Sequence, residues 1–218
     1  MRIPVEEALR YMGAAQADEA TRRLAEETAG MLEEKLRPRY LWRAFPIARG
    51  EEGIRLEGAG TCLPGTLAAK MLAECDTAVL LTATVGAEFD RMMQEWEKRD
   101  MARAAVMDVC GSAWTEAVCD EAEAEIRGRF PGKYLTDRFS PGYGDLPLSL
   151  QAGFLQALDA GRKLGITANE SFLLLPCKSV TAIIGLADRP QGAKIRGCGY
   201  CAMHDTCEYR KRGIFCGD

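Results

Sequence analysis

The chain has one histidine, His204, in 218 residues, and aromatic residues make up only 7% of it. A histidine-based catalytic triad would have to draw on a single imidazole set in a cysteine-rich stretch, so such chemistry is not expected. No run approaches the ~18 apolar residues of a membrane-spanning helix. The opening MRIPVEEALRYMG carries acids where a secretory leader has its apolar centre, so a cytoplasmic protein without a membrane partner is expected. Positive charge is also short: 28 Lys and Arg against 32 Asp and Glu give a net charge of -4 and a pI near 5.3. Neutralising phosphates needs a basic surface, so nucleic acid is not an expected partner. The motifs G-x-G-x-x-G and G-x-x-x-x-G-K-[ST] are missing, which removes support for two large classes of nucleotide site. There is no internal repeat and no low-complexity linker.

What is present suits a soluble globular domain: 47% hydrophobic and 28% charged residues. A chain of this length buries about 70% of its unfolded surface, so folding needs no disulfide framework. Residues 4–13 and 17–36 read as amphipathic helices, the first with Pro4 in its opening turn and Gly13 at its stop. The period then changes. RYLWRAFPIAR and GIRLEGAG are β-leaning and read as a hairpin. Residues 64–75 read as a helix with Pro64 in its first turn, 76–86 as a buried strand, 87–100 and 101–130 as helices. A short strand is expected within 133–139, a helix over 148–163, and a strand at SVTAIIGLA. Strands and helices do not alternate regularly, so the expected class is α+β, with a mainly antiparallel sheet and long helices.

Nine cysteines are many for a reducing compartment. Cys62, Cys75, Cys110, Cys119 and Cys177 are scattered, whereas Cys198, Cys201, Cys207 and Cys216 fall within the last 21 residues. A C-x2-C pair flanked by Gly197 and Gly199 lets two thiolates reach one metal from a tight turn, and two further thiolates complete a four-coordinate site. Zinc and an iron–sulfur cluster both accept four thiolates, and the spacing matches neither common ferredoxin pattern. His204 and Cys177 are alternative fourth ligands; free thiols or a redox-active Cys198/Cys201 pair are the rival readings. The expected division is therefore 1–188, an α+β domain, and 189–218, a cysteine-rich metal-binding tail. Nearby Lys194, Arg196, Arg210, Lys211 and Arg212 offset thiolate charge, form a docking patch or are simply a solvated tail.

The loop RFSPGYGDLPL is the other dense polar segment. Arg138 offers a fork for a carboxylate, Tyr143 a ring and a hydroxyl, and Pro141 with Gly142 a fixed turn. A plain surface turn has the same spacing. The stretch Arg138-Phe139-Ser140-Pro141-Gly142-Tyr143 nevertheless resembles the R-x-[AS]-P-G-Y loop of the activation domain of cobalamin-dependent methionine synthase. GSAWTEAVCDE is similar to that domain's long helix, with Glu116 at its acidic position. LLLPCKSVTAIIG resembles its P-x-x-S-V-[ST] segment, and IPVEEALRYMG the amino-terminal helix of shorter, stand-alone relatives. The resemblance spans roughly residues 1–188. After the loop the family's His-x-Glu-Lys type segment is replaced by Gly144-Asp145-Leu146-Pro147-Leu148, and the cysteine cluster is an addition.

The resemblance implies a helmet-like α+β fold with a central twisted antiparallel sheet and a shallow groove for S-adenosylmethionine. It implies docking over an oxidised corrinoid carried in trans by a corrinoid protein or a cobalamin-dependent methionine synthase. A flavodoxin- or ferredoxin-type reductant supplies one electron there, and the sulfonium methyl traps the reduced corrinoid. It assigns the ligand's carboxylate to Arg138, the nucleoside to Ser140, Pro141, Gly142 and Tyr143, and a place near the sulfonium to Glu116. The leading expectation is thus a corrinoid-reactivation protein. The alternative is a metal-stabilised, non-enzymatic binding or electron-transfer module for a corrinoid protein.

Overall fold

The computed structural model describes residues 1–13, 17–195, 204–211 and 213. Two helices open the chain, α1 (Val5–Tyr11) and α2 (Glu19–Lys35). Asp18 starts the second by accepting the Thr21 N–H at 2.8 Å. The expected hairpin follows as β1 (Arg39–Gly50) and β2 (Gly53–Leu56), continued by β3 (Thr61–Leu63).

The helix expected over 64–75 is shorter. Pro64 stays extended outside it, α3 spans Gly65–Met71, and Cys75 already belongs to β4 (Cys75–Thr84). The Arg49 guanidinium reaches the carbonyls of Leu72, Ala73 and Cys75 at 2.8, 3.0 and 2.6 Å, satisfying oxygens that another helical turn would have used. Next come α4 (Ala87–Arg99) and α5 (Met101–Arg129), the longest helix, capped by Asp100. The strand expected within 133–139 contracts to β5 (Tyr134–Leu135) plus one bridge at Phe139. The single helix expected over 148–163 is two, α6 (Leu150–Leu158) and α7 (Ala160–Leu164), because Asp159 between them is left-handed, with φ 55°. A small pair not read from the sequence, β6 (Thr167–Ala168) and β7 (Leu174–Leu175), precedes β8 (Ser179–Ala187). One further turn, α8 (Glu208–Lys211), lies near the carboxyl terminus.

The main sheet has the order β3-β2-β1-β4-β8-β5, and every pairing in it is antiparallel. The α+β class expected from the sequence is the class observed. β4 lies at the centre, buried along nearly its whole length, so its side chains feed two cores by simple alternation. Val79, Leu81 and Ala83 face α1, α2, α4 and α5; Ala78 and Leu80 face α3, α6 and α7. The stretch 189–195 remains against the domain: Ala193 and Ile195 pack on the second core, the Ile195 N–H donates to Asp137 at 3.0 Å, and Arg189 pairs with Glu74 at 2.6 Å. Among the described residues no helix is long and apolar enough to cross a membrane.

Candidate functional site: a cleft where four segments meet

The loop after β5 is tied to the edge of the sheet. Thr136 N–H donates to the Gly185 carbonyl at 3.0 Å, and Phe139 exchanges two backbone bonds with Ile183 at 3.1 and 2.7 Å. Phe139 is fully buried in the second core, so its neighbour Arg138 is thrown to the opposite face, onto α5. Glu116, Asp120 and Glu123 follow one another on one stripe of that helix. Arg138 Nη2 meets Glu116 at 2.6 Å, and Nη1 meets Asp120 at 2.7 Å and also Glu123. The arginine side chain is 7% exposed. One guanidinium faces three carboxylates. Burial pushes the neighbouring Cys119 thiol up to about 12, which keeps it protonated and inert.

Ser140 to Leu146 form two linked turns. Tyr143 N–H donates to the Ser140 carbonyl at 3.1 Å, Leu146 N–H to the Tyr143 carbonyl at 2.9 Å, and Gly142 N–H to the Leu146 carbonyl at 2.8 Å. Pro141 and Leu146 are buried, while Tyr143 at the tip is 50% exposed. Asp145 closes the loop on the other face of the sheet. Its carboxylate accepts the Thr66 N–H at 2.6 Å, the Thr66 hydroxyl at 2.7 Å and the Leu67 N–H at 3.0 Å. The backbone donors of Leu67 and Thr66 lower its pKa to about 2. Gly65 makes the contact feasible: its φ is +87°, and a Cβ there would stand 2.7 Å from the Asp145 carboxyl carbon.

On the α5 face, beside Arg138, lies a cleft of about 320 Å³. Tyr11 closes one side; Ser112, Thr115 and Glu116 of α5 form the floor; Cys177 to Val180 form the other wall at the start of β8. Burial, then the hydrogen bond to Glu7, then the charges of Glu7 and Glu116 push the Tyr11 phenol well above its ordinary value, so its hydroxyl stays a donor. Lys178 bridges Asp108 at 2.8 Å and Ser112 at 2.9 Å. A larger cavity, about 470 Å³, sits at the β1–β2 turn around Arg49, Arg55 and Cys62, and holds none of the candidate ligand- or metal-binding residues read from the sequence.

The structure therefore brings Glu116 and Arg138 into direct contact and places Ser140, Pro141, Gly142 and Tyr143 in the turns that continue from them. Three residues beside them were not singled out: Tyr11, Lys178 and Asp145. The first two lie inside segments already quoted for the family resemblance, and Asp145 sits in the replaced one, but nothing in their spacing tells where they point. Of the tail cysteines, Cys207 is half-buried just before α8; Cys198, Cys201 and Cys216 lie outside the described residues. Among the described residues no three His, Cys, Asp or Glu side chains cluster as a metal site.

No protein-family model matches the chain. No curated protein matches it either. A solved structure does: the crystal structure of the MetH reactivation domain bound to AdoHcy, with a TM-score of 0.61 and 18% identity, covering 94% of this chain and 76% of that one. This chain has the fold of the MetH reactivation domain. At that identity the likeness is one of fold.

Proposed function

We propose that the chain binds S-adenosylmethionine at the α5 cleft and the Ser140–Tyr143 turns, and supports reductive methylation of a corrinoid carried by a partner. One observation carries this reading. The four segments that resemble the methionine synthase activation domain lie far apart in sequence, yet α1, α5 and the start of β8 line one cleft, and the loop joins it through Arg138 and Glu116. The fold it shares with a domain solved with AdoHcy points the same way. In this reading Tyr143 stacks on the adenine, Ser140, Pro141 and Gly142 shape the nucleoside seat, and Glu116 lies near the sulfonium. Arg138 takes the ligand's carboxylate, and its guanidinium also pairs with Glu116. S-Adenosylmethionine supplies a methyl on a cationic sulfur, which transfers without movement of a proton. The protein's work is then position and electrostatics, and the Glu116 carboxylate suits a neighbouring cationic sulfonium.

The corrinoid would come in trans, because the only histidine is His204 and no D-x-H-x-x-G is present. The partner is a corrinoid protein or a cobalamin-dependent methionine synthase, with a flavodoxin- or ferredoxin-type reductant. We assign residues 189–218 as a tail in which Cys198, Cys201, Cys207 and Cys216 bind zinc or an iron–sulfur cluster, on the chemistry of four closely spaced thiolates. Titration calorimetry with S-adenosylhomocysteine tests the main reading. The wild type binds, and Tyr143→Ala weakens binding by about 1–3 kcal/mol, the worth of stacking a base on an aromatic ring. No heat at millimolar ligand would overturn it and leave the metal-stabilised module in its place. Metal analysis and a visible spectrum of anaerobically purified protein decide the tail: one equivalent of zinc, or a brown iron–sulfur chromophore, against neither.

A further inference from the structure

The main sheet has an open edge within β1. β4 pairs with β1 from Arg39 to Pro46, whereas β2 pairs only with Ile47 to Gly50. On that outer side one further bond is made, from the Glu57 N–H to the Pro46 carbonyl at 3.0 Å. It fixes the phase of the strand, because successive residues direct their N–H and C=O alternately to its two sides. Pro46 faces away from β4, so Ala44, Trp42 and Tyr40 do too. Among the described residues no backbone group pairs with their three N–H groups and three carbonyls. Pro46, which has no N–H to give, stands where the ladder to β2 ends.

This edge is held rigid and carries positive charge. Tyr40, Trp42 and Ala44 pack half-buried on the first core. The end of α5 holds two of them: the Tyr40 hydroxyl donates to Glu125 at 2.5 Å, and Trp42 Nε1 donates to the same carboxylate at 3.2 Å. Arg39 and Arg43 project from the opposite face of the strand and are exposed. The Arg39 guanidinium donates to the carbonyls of Lys163 and Leu164 at 3.3 and 3.2 Å, and that of Arg43 lies 5.0 Å from the centre of the Phe45 ring. Neither meets a carboxylate among the described residues, and the exposed Lys163 adds a third cation in a chain of net charge -4. Unpaired backbone groups invite an added strand, and the charges decide whose. Antiparallel pairing of two copies centred on Leu41, Trp42 or Arg43 sets arginines directly opposite or diagonal to one another, which is repulsive. An extended segment with acidic side chains along one face meets both arginines instead.

We propose that the β1 edge from Tyr40 to Ala44 takes an extended acidic segment of a partner protein as an added strand. This strand needs no ligand in the α5 cleft. Fluorescence anisotropy on the whole chain, with a labelled peptide of alternating valine and glutamate, tests it. The wild type binds this peptide and does not bind one with lysine in place of glutamate. Two further versions are N-methylated, one at the valines and one at the glutamates. One of them binds about 10-fold more weakly or worse and the other does not, since only one set of N–H groups faces β1 and several backbone hydrogen bonds are lost with it. Attraction between charges alone would move neither. Arg39→Gln with Arg43→Gln weakens the acidic peptide about 3- to 10-fold and lowers its salt dependence. Amide exchange of Tyr40, Trp42 and Ala44, read by NMR, slows in the wild-type complex, a measurement that needs no variant to fold. The added strand is refuted if the wild type binds neither peptide or both alike, if the two N-methylated versions bind alike, or if those three amides exchange as before. A chain that is dimeric in sedimentation and becomes monomeric on Ala44→Pro, which removes one outward N–H, would give the edge to a second copy and overturn the acidic partner.

Discussion

The two ends of the loop from Arg138 to Asp145 are fastened by opposite charges on opposite faces of the sheet. Arg138 is buried against α5 and meets three carboxylates. Asp145 is exposed and meets two backbone N–H groups and a hydroxyl at the start of α3. Both contacts are satisfied, yet they differ in what water does for a broken partner. Around Arg138, removing the cation leaves like charges together, one of them, Glu123, only 15% exposed. Around Asp145, water replaces part of what the carboxylate gave. The buried contact therefore serves stability and the exposed one serves placement, and Tyr143 stands between them.

Arg138→Met tests the buried end most severely. It should lower unfolding free energy by about 3 kcal/mol, the low end for breaking a buried ion pair because Glu116 and Asp120 keep some water. Urea denaturation measures it, and a loss under about 1 kcal/mol would mean that the cluster is no more than a surface network. Gly65→Ala attacks the other end through the backbone. A residue with a Cβ at φ +87° and 2.7 Å from the Asp145 carboxyl carbon should cost about 1–3 kcal/mol; an unchanged midpoint would show that the loop and α3 shift apart freely.

Asp145→Asn is gentler and carries a pH signature. The folded pKa is near 2 against an ordinary 3.8. A depressed carboxylate contributes stability above its unfolded value and loses it as pH falls through the folded one. The wild type should therefore lose this contribution between about pH 4 and pH 2, while Asp145→Asn, already without it, shows a shallower decline over that window. Parallel stability curves for the two proteins would refute the capping role. Tyr143→Ala should do least to the fold, within about 0.5 kcal/mol as for an exposed side chain away from any core. A larger drop would mean that the ring is part of the scaffold.

Much of the architecture was legible in the sequence because local rules and tertiary needs agreed. The unbroken apolar run at 76–86 became the central strand, and the longest helical pattern became α5. Legibility failed where a distant group intervened. α3 stops early because Arg49, far along the chain, takes the carbonyls beyond it. The helix over 148–163 breaks because Asp159 adopts a left-handed conformation that Asp tolerates but does not require. β6 and β7 are too short for any period to register.

The candidate site divides in the same way. The residue types were readable: an arginine, a Pro-Gly turn, a tyrosine and an acidic helix position, in segments resembling one family. The cysteine spacing at the tail was readable too, since four thiolates within 21 residues are a chemical statement in themselves. Which way each side chain points was not. Phe139 buries itself in one core and so sends Arg138 to the other face, where α5 happens to present carboxylates. Lys178 and Glu116 line one cleft only because the start of β8 lies beside α5. Sequence determines periodicity, caps and the inventory of donors and acceptors, because these are local. The pairing of charges across the sheet is decided by packing, because burial forces each alternate residue to one face and only the assembled sheet says what waits there.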